Sequence, residues 1–501
     1  MYLSKSKYCK GVQCDKILWL DKNKPDVAVY EDNSSVLDNG TKVGELAKNL
    51  FGEYADVSFN EDLNKMIDET KELLKNKVCN ICEASFDYNG NFCSVDILRK
   101  NNDEYEIYEV KSSTKVSDIY LDDISYQYYV LTKLGYKVTG SYIVHINSEY
   151  VRHGDLELDK LFKIVNVDDV VKERQEFVED KIKEINEYMK TKEEEKRDID
   201  EYCFKPYKCP YFDYCSSLEK PNVFDLRGMS NKRKIKLYKD GLYEYRKLLD
   251  TNINNGYKEQ IDFEINNKED KINIKKIKSF LNTLYYPMYF LDFETFQESV
   301  PSYDDISPYE QVPFQYSLHY IDKENGELKH TEFLGDGFSD PRRRLAEQLV
   351  KDIPLDVCVL AYNMSFEQNV IEKLSKIYPD LKDHLLNINN NMKDLMVPFK
   401  ARDYYSKDMH GSYSIKYVLP ALFPNEESLN YHNLDMVHNG NEASNAYSSL
   451  PSLSKEEQQK LRDNLLKYCY LDTYAMVKIY DKLNEVVNND IILSRKKNDK
   501  K

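Results

Sequence analysis

The run YFLDFET, residues 289–295, decides the fold of the C-terminal half of the chain. Three apolar residues come first, and Asp292 and Glu294 then follow at alternating positions, which is the pattern of a buried strand that ends in two carboxylates. Residues two apart in a strand point to the same face of the sheet, so both carboxylates are expected to reach one place. Carboxylate oxygens are the ligands that Mg²⁺ and Mn²⁺ prefer.

Tyr468 and Asp472 lie much later in the chain, in a helical pattern that continues through Ala475 and Ile479. Side chains four positions apart lie one above the other on a helix, so the phenol and the carboxylate are expected to share a face. An Asp-x-Glu pair alone is also a common surface pattern. The order of the two motifs and the helical context of the second favour a single site that collects all of these side chains.

Together these motifs resemble the DnaQ-like exonucleases of the DEDDy subtype, which have an RNase H-like α/β fold. The resemblance implies that Tyr468 positions a water and that four acidic residues bind two Mg²⁺ or Mn²⁺ ions: Asp292, Glu294, Glu367 and Asp472. The middle motif corresponds to YNMSFE, residues 362–367, where Glu367 stands in place of the usual Asp. A catalytic group displaced by about 1 Å can cost about 100-fold in rate, which leaves the activity of this centre open.

A second constellation lies upstream, in the strand-like runs that contain Asp96 and Glu109. Glu109 and Lys111 are two apart and point to the same face, where Asp96 can meet them from the neighbouring strand. Two carboxylates and an ammonium group suit metal-assisted hydrolysis of a phosphodiester: the carboxylates bind Mg²⁺ or Mn²⁺, and the lysine orients or deprotonates a water. An isolated D…ExK pattern is more often an exposed ion pair on an edge strand.

The segments FCSVD, residues 92–96, and YEVKSS, residues 108–113, resemble the signature of the RecB-like nucleases of the PD-(D/E)XK class. Gln127 matches the glutamine that this family carries on the next helix, and Glu45 falls at its upstream acidic or histidine position. The resemblance implies a restriction-endonuclease-like fold with two metal ligands, Asp96 and Glu109, and three catalytic residues, Lys111, Gln127 and Glu45.

The ten cysteines favour free or metal-bound thiols, because no secretory signal precedes them. Cys203, Cys209 and Cys215 are evenly spaced, and one more ligand would complete a four-thiolate site. CRISPR-associated RecB-like nucleases and the AddB type place one cysteine near the N-terminus and three after the nuclease core. This resemblance adds Cys14 to the set and implies a [4Fe-4S] cluster, with Zn²⁺ as the alternative because four thiolates suit it equally well.

The length of 501 residues is too great for one ordinary core and suggests two or three domains. The alternation of strand-like and helical patterns implies an α/β core. Residues 14–472 resemble a bacterial family in which an uncharacterised domain is joined to a RecB-like nuclease. The Lys- and Glu-rich segment 167–199 predicts one long solvated helix. The predicted parts are a RecB-like nuclease with the four-cysteine cluster at 1–222, a helical and polar connection at 223–280, a DnaQ-like exonuclease domain at 281–488 and a basic tail at 489–501.

The net charge of −16 argues against a protein that coats nucleic acid by bulk electrostatics, but it allows a local basic groove. Without a signal peptide or an apolar run of membrane-spanning length, the chain is expected to be cytoplasmic and away from membranes. We expect a metal-dependent exonuclease that hydrolyses DNA from single-stranded ends at two centres. The alternatives are a nucleic-acid-binding protein with one or both centres degenerate, an RNA-directed nuclease and an iron-sulfur scaffold; no protein partner is indicated.

Overall fold

The computed structural model describes residues 2–30 and 34–498, and it is a mixed α/β structure with several sheets. The chain forms two compact units. The first contains Met1–Glu219, Asn231–Lys236 and Glu298–Glu310, and the second contains Lys220–Ser230, Leu237–Gln297 and Gln311–Lys501. Among the described residues, no helix combines the length and the apolar content needed to cross a membrane.

The first unit is built on a seven-stranded mixed sheet. Its strands are β1 (Leu3–Ser4), β2 (Ala55–Asp56), β3 (Asn80–Tyr88), β4 (Asn91–Asn101), β5 (Glu104–Lys111), β6 (Lys137–Ile146) and β7 (Phe162–Asn166). The order is β2-β3-β4-β5-β6-β7, and β1 pairs with β4 outside this path. The three strands β3, β4 and β5 form an antiparallel meander, whereas β6 runs parallel to β5.

Helices cover both faces of this sheet and bury its apolar side chains. The helices of the first unit are α1 (Lys5–Asn23), α2 (Ser34–Ala47), α3 (Leu63–Lys75), α4 (Asp118–Lys133), α5 (Leu158–Leu161), α6 (Asp168–Glu173), α7 (Gln175–Tyr188) and α8 (Phe212–Ser216). Ile124 and Val130 of α4 pack with Ile107 of β5 on one face, and Val43 of α2 packs with Tyr108 of β5 on the other. Strand β5 is therefore buried on both sides, which places its carboxyl end in a covered position.

The single long helix predicted for residues 167–199 is wrong. The segment forms α6 and α7, and the chain after Tyr188 is irregular. Trp19 of α1 donates a hydrogen bond from Nε1 to the carbonyl oxygen of Thr191 at 3.2 Å. This tertiary hydrogen bond disfavours a longer helix. In a helix that continued past Thr191, the same carbonyl oxygen would accept from a backbone N–H of the next turn.

The second unit is built on a five-stranded sheet with a central strand that carries the first motif. Its strands are β9 (Met288–Phe296), β10 (Val312–Ile321), β11 (Lys329–Leu334), β12 (Cys358–Ala361) and β13 (Met392–Asp394), and a separate pair is formed by β8 (Lys271–Ile272) and β14 (Tyr404–Tyr405). The order is β11-β10-β9-β12-β13. Strand β10 is antiparallel to β9 and β11, whereas β12 is parallel to β9 and β13.

The helices of the remaining chain are α9 (Asn231–Lys239), which both units share, and α10 (Tyr245–Leu249), α11 (Asn255–Ile265), α12 (Ile274–Leu281), α13 (Arg342–Asp352), α14 (Ser365–Ile377), α15 (Lys382–Asn390), α16 (Val397–Lys400), α17 (Ile415–Leu422), α18 (Gly440–Ser449) and α19 (Lys455–Asn498). Helices α13, α14 and α15 pack against one face of the sheet, and α12, α17 and α19 pack against the other. Helix α19 extends through most of the predicted tail, and residues 499–501 lie outside the described residues.

Candidate functional site

Three acidic side chains of the second unit converge at the C-terminal half of β9. One oxygen each of Asp292, Glu294 and Asp472 lies within 4.8 Å of the other two, and we call these three residues the carboxylate cluster. Asp292 and Glu294 come from β9, and Asp472 comes from α19. The structure thus brings together the strand motif and the helix motif that the sequence predicted to share a site.

Two side-chain contacts of β10 hold α19 in the position that this convergence needs. Gln315 donates a hydrogen bond from Nε2 to the carbonyl oxygen of Leu465 at 2.9 Å, and the hydroxyl groups of Ser317 and Thr473 lie 2.7 Å apart. All four residues are buried. Because Thr473 follows Asp472 directly, these bonds fix the rotation of α19 that turns Asp472 towards β9.

Two tyrosines lie beside the carboxylate cluster. The hydroxyl group of Tyr431 donates a hydrogen bond to Oδ1 of Asp472 at 2.6 Å. Tyr468 lies one helical turn before Asp472 and is 4% exposed. Burial, and then the charge of Asp472, raises the pKa of both phenols well above the ordinary value, so both stay protonated and can donate hydrogen bonds.

The carboxylate cluster carries more negative charge than its surroundings offset. Burial, followed by the charge of Asp472, raises the pKa of Asp292 and of Glu294 well above the ordinary range. Burial also raises the pKa of Asp472 to about 6. Lys416 acts in the opposite direction on Glu294 and Asp472. Buried carboxylates with this deficit of positive charge fit a divalent cation, which would supply the missing charge through hard oxygen ligands.

Glu367 lies in the first turn of α14 and is 3% exposed. Burial raises its pKa to about 8, with smaller effects of Asp394 and Asp472, and its Oε2 atom has no hydrogen-bond partner. It is not one of the three residues within 4.8 Å of one another. Asp394 has a structural role, because its Oδ1 accepts hydrogen bonds from the backbone of Asn363 and Met396 at 2.9 and 3.0 Å.

A cavity of about 880 Å³ opens next to the carboxylate cluster within the second unit. Lys416 and Tyr431, which both act on Asp472, belong to its lining. The lining also contains polar side chains that can donate and accept hydrogen bonds: Asn425, Asn430, His438 and Asn439. Helix α18 begins beside the carboxylate cluster: a Cβ on its first residue, Gly440, would lie only 3.4 Å from Oε2 of Glu294.

The first unit brings the D…ExK residues together at the middle of β4 and the end of β5. Lys111 Nζ lies 2.5 Å from Oε1 of Glu109, and Gln127 donates from Nε2 to Oε2 of Glu109 at 2.6 Å. Asp96 accepts a hydrogen bond at Oδ2 from the backbone N–H of Val110 at 2.8 Å. Burial, with the charges of Asp123 and Asp96, raises the pKa of Glu109 to about 8.

Three further residues of this centre were not predicted from the sequence. Asp123 binds Lys111 Nζ at 2.9 Å and accepts from Gln127 at 3.0 Å. Glu83 lies between the register pairs Cys82–Ile97 and Ala84–Val95 of β3 and β4 and has a φ of +55°, and burial, followed by the charge of Asp96, raises its pKa to about 7. The third is Lys5, whose ammonium group contacts Asp96. Asp123 was detectable, since it lies one helical turn before Gln127, but nothing in the sequence pattern pointed to the other two.

Glu45 lies apart from these residues. Its Oε1 atom bonds Nζ of Lys48 at 2.7 Å, and its side chain is 63% exposed. Lys48 also binds Asp56 at 2.7 Å. In the described part of the chain, no hydrogen bond or ion pair joins Glu45 to Asp96, Glu109 or Lys111, so the structure does not place it at the upstream position that the resemblance implied.

The four predicted cluster cysteines line one small cavity of about 20 Å³: Cys14, Cys203, Cys209 and Cys215. Cys14 lies at a kink of α1, where its φ of −168° and ψ of 115° are not helical. Burial raises the pKa of Cys203 to about 11 and that of Cys209 to about 12, while backbone hydrogen bonds act in the opposite direction. Four thiols around one cavity have the chemistry of a thiolate site, but among the described residues no three of these sulfur atoms lie within 4.8 Å of one another.

The comparisons with known proteins identify one domain family. The model of the Domain of unknown function (DUF2779) matches residues 289–414, about a quarter of the chain. The match covers β9 and α14, and therefore Asp292, Glu294 and Glu367, and ends before Asp472. No curated protein and no solved structure matches the chain. The expectation of an uncharacterised domain is thus confirmed for this segment.

Proposed function

We propose that the chain is a metal-dependent nuclease that hydrolyses DNA phosphodiester bonds from single-stranded ends. The observation that carries the proposal is the carboxylate cluster, in which Asp292, Glu294 and Asp472 meet within 4.8 Å. An all-oxygen set of this kind suits Mg²⁺ or Mn²⁺. Two buried phenols and a lysine beside the cluster are the groups that hydrolysis at such a centre would use.

The side chains of the second unit have distinct roles in this proposal. Bound divalent ions would supply Lewis-acid stabilisation of the phosphate and a more acidic water. The carboxylate cluster would hold them, and Glu367 would add a fourth carboxylate. Tyr468, a protonated and buried donor, would position the attacking water. Lys416 would meet the negative charge of the substrate phosphate, because it already acts on Glu294 and Asp472.

The cavity beside the cluster suits the terminal nucleotide of a single strand. Its volume of about 880 Å³ lies within the range of roughly 300 to 1,000 Å³ that small-molecule sites occupy. Its polar side chains can bond base edges. Lys416 lines the cavity, and its positive charge also acts on the carboxylates of Glu294 and Asp472. A duplex end would have to unpair before one nucleotide entered, which favours single-stranded substrates.

The order of the five-stranded sheet supports the RNase H-like fold that the resemblance implies, because the Asp-x-Glu pair lies on its central strand β9. In the first unit, Asp96 on β4 and Glu109 and Lys111 on β5 support the PD-(D/E)XK assignment in the same way. The donor set at this first centre suits Mg²⁺ or Mn²⁺. Lys111 and Gln127 would then orient the water and the Glu109 carboxylate.

The four cysteines would hold a [4Fe-4S] cluster or, alternatively, Zn²⁺. Cys14 lies near the start of the segment Met1–Glu219 and the other three cysteines near its end, so a shared metal would close a loop that contains strands β2 to β7. Such a closure restricts the unfolded chain. The role of this site in the proposal is therefore structural.

A second candidate function is a nucleic-acid-binding protein with one or both centres inactive. Two observations favour it: the ammonium group of Lys5 bonds the predicted metal ligand Asp96 at 2.9 Å, and Glu367 is outside the group of three within 4.8 Å. Such a protein would bind single-stranded DNA or RNA and release no nucleotides.

The test is cleavage of 5′-labelled single-stranded DNA and RNA by the anaerobically purified full chain with Mn²⁺. Asp96→Asn and Asp292→Asn silence the two centres separately, and Glu104→Gln on β5 and Glu456→Gln on α19 are matched controls on the same elements. We expect Asp292→Asn to remove shortening from the 3′ end and both controls to cleave like the wild type. Binding without cleavage by the wild type would support the second candidate function instead.

A further inference from the structure

The ammonium group of Lys5 lies between the two carboxylates of the first centre. Its Nζ atom is 2.9 Å from Oδ1 of Asp96 and 3.1 and 3.2 Å from the two carboxylate oxygens of Glu109. The other bonds of these carboxylates come from Val110, Lys111 and Gln127. Every oxygen of the pair therefore has a donor from the chain, and Lys5 is the donor that bridges both side chains.

A divalent metal ion bound by Asp96 and Glu109 would also be a cation that contacts both carboxylates. Mg²⁺ binds carboxylate oxygens at about 2.0 to 2.1 Å, so an ion that bridged Asp96 and Glu109 would lie in the space between them that the Lys5 ammonium group fills. A metal ion held by both carboxylates would lie close to the Lys5 ammonium group and would be repelled by it. Lys111 bonds only Glu109 of this pair, whereas Lys5 bonds both carboxylates, so metal binding at the pair acts most directly against the observed position of Lys5.

Lys5 and Lys111 each bond two carboxylates, and their side chains are similarly exposed, at 23% and 21%. They differ in the carboxylates that they bond: Lys111 bonds Glu109 and Asp123, whereas Lys5 bonds Asp96 and Glu109, which are the two predicted metal ligands. Lys5 is the first residue of α1. Its backbone is fixed, because Leu3 and Ser4 pair with β4 and the Ser4 side chain caps the helix. Four flexible methylenes on a fixed backbone let the ammonium group move towards solvent by rotation of the side chain alone.

We propose that Lys5 is a built-in cation that holds Asp96 and Glu109 together in the metal-free chain and withdraws when a divalent cation binds. Lys5 thereby sets the metal concentration at which the first centre is loaded. The inference rests on the proposed function, since it takes Asp96 and Glu109 as the metal ligands. It makes Lys5 a competitor of the metal ion for Asp96 and Glu109, so replacing Lys5 is expected to strengthen metal binding.

The experiment measures Mn²⁺ binding by electron paramagnetic resonance, in full-length chain that carries Asp292→Asn and Glu294→Gln to silence the second centre. Lys5→Met is compared with Lys10→Met, a lysine on the same helix that pairs with Asp21 at 2.9 Å and contributes the same charge. We expect Lys5→Met to bind Mn²⁺ at least about tenfold more tightly, which corresponds to about 1.4 kcal/mol, and Lys10→Met to match the parent.

Equal or weaker Mn²⁺ binding by Lys5→Met, in a chain that does bind Mn²⁺ through Glu109, would overturn the inference and leave the metal site standing. Absence of Mn²⁺ binding at this centre in every variant would overturn the proposed function of the centre as well. A second measurement needs no substitution at Lys5. Saturating Mn²⁺ is expected to raise the rate of acetylation of Lys5 severalfold, read by mass spectrometry with Lys10 as internal reference; an unchanged rate contradicts the withdrawal of Lys5.

Discussion

The hydroxyl group of Tyr431 donates a hydrogen bond of 2.6 Å to Oδ1 of Asp472. The two residues come from different kinds of structure: Asp472 belongs to the long helix α19, and Tyr431 belongs to a short 3₁₀ turn after α17. One carboxylate of the cluster is therefore positioned by a residue that also lines the neighbouring cavity. The phenol of Tyr431 would therefore contact both the carboxylate cluster and a substrate bound in the cavity.

Tyr431→Phe is expected to lower the rate of the second centre about tenfold. A hydrogen bond to a charged group contributes about 1.5 to 3 kcal/mol, and the substitution removes only the hydroxyl group. The measurement is the initial rate of nucleotide release in an Asp96→Asn background, with Tyr470→Phe on the exposed side of α19 as control. A rate equal to that of the control would show that Tyr431 does not position Asp472.

Glu367→Gln is expected to stabilise the metal-free fold at alkaline pH. Burial raises the pKa of Glu367 to about 8, whereas an exposed glutamate titrates near about 4.3. Between these values the folded chain keeps a proton that the unfolded chain has lost. The free energy of unfolding therefore falls as the pH rises through this window, with a limiting slope of about 1.4 kcal/mol per pH unit.

Glutamine is neutral at every pH, so the free energy of unfolding of Glu367→Gln does not fall in this way as the pH rises. Thermal denaturation in a chelator should give a higher Tm for Glu367→Gln than for the wild type at pH 8 and a similar Tm near pH 4.5. Glu372→Gln on the exposed face of the same helix is the control. Parallel Tm curves for Glu367→Gln and the wild type would mean that the side chain of Glu367 is ionised in the fold.

Mn²⁺ is expected to raise the Tm of the wild type, and a chelator should reverse the increase. A ligand that binds only the folded state stabilises it by about 2.7 kcal/mol at 100 times its Kd. The effect should be larger at pH 8 than at pH 5, because the pKa of Asp472 is raised by burial to about 6 and the carboxyl must lose its proton before it binds a cation.

Asp292→Asn should lose the part of this stabilisation that comes from the carboxylate cluster. Glu456→Gln, in the exposed first turn of α19, should keep it. Scanning fluorimetry with and without Mn²⁺ at the two pH values checks both expectations. An equal Mn²⁺ effect in Asp292→Asn and the wild type would place the bound metal elsewhere.

Cys209→Ser is expected to release the metal of the cysteine site and to destabilise the first unit. Closure of a loop of this length is expected to contribute about 4 to 5 kcal/mol through the unfolded chain. Cys79→Ser, at an exposed cysteine, is the control. Iron, sulfide and zinc analysis of anaerobically purified protein decides between [4Fe-4S] and Zn²⁺, and denaturation by urea gives the stability. Metal-free wild type with the stability of Cys209→Ser would exclude a bound metal.

The strands of the first unit were predictable because their local signals agree. Three short runs rich in β-forming residues, at 78–86, 91–98 and 105–111, are separated by Asn- and Gly-containing turn signals, and they correspond to β3, β4 and β5 within three residues at each end. Asn89, Gly90 and Asn102 all have positive φ, at 51°, 83° and 55°, which is the left-handed backbone that Asn and Gly adopt in tight turns. Turn chemistry and apolar alternation thus mark the same boundaries.

Contacts between residues far apart in the chain were not predictable in this way. Lys5 meets Asp96 across 91 positions, and Tyr431 meets Asp472 across 41, and neither contact leaves a periodic pattern. The segment Glu298–Glu310 follows β9 directly in the sequence and was expected in the C-terminal domain, yet it belongs to the first unit. There Arg152 donates from Nη1 to the carbonyl oxygen of Pro301 at 2.8 Å, a tertiary bond that composition does not reveal.

The most direct test of the central claim is degradation of end-labelled single-stranded DNA in Mn²⁺ by the wild type and by the Asp96→Asn, Asp292→Asn double variant. The proposal of metal-dependent hydrolysis predicts that the wild type shortens the strand and that the double variant, still folded by circular dichroism, is slower by at least about 100-fold. Intact DNA after incubation with the wild type, or equal shortening by both proteins, would contradict it.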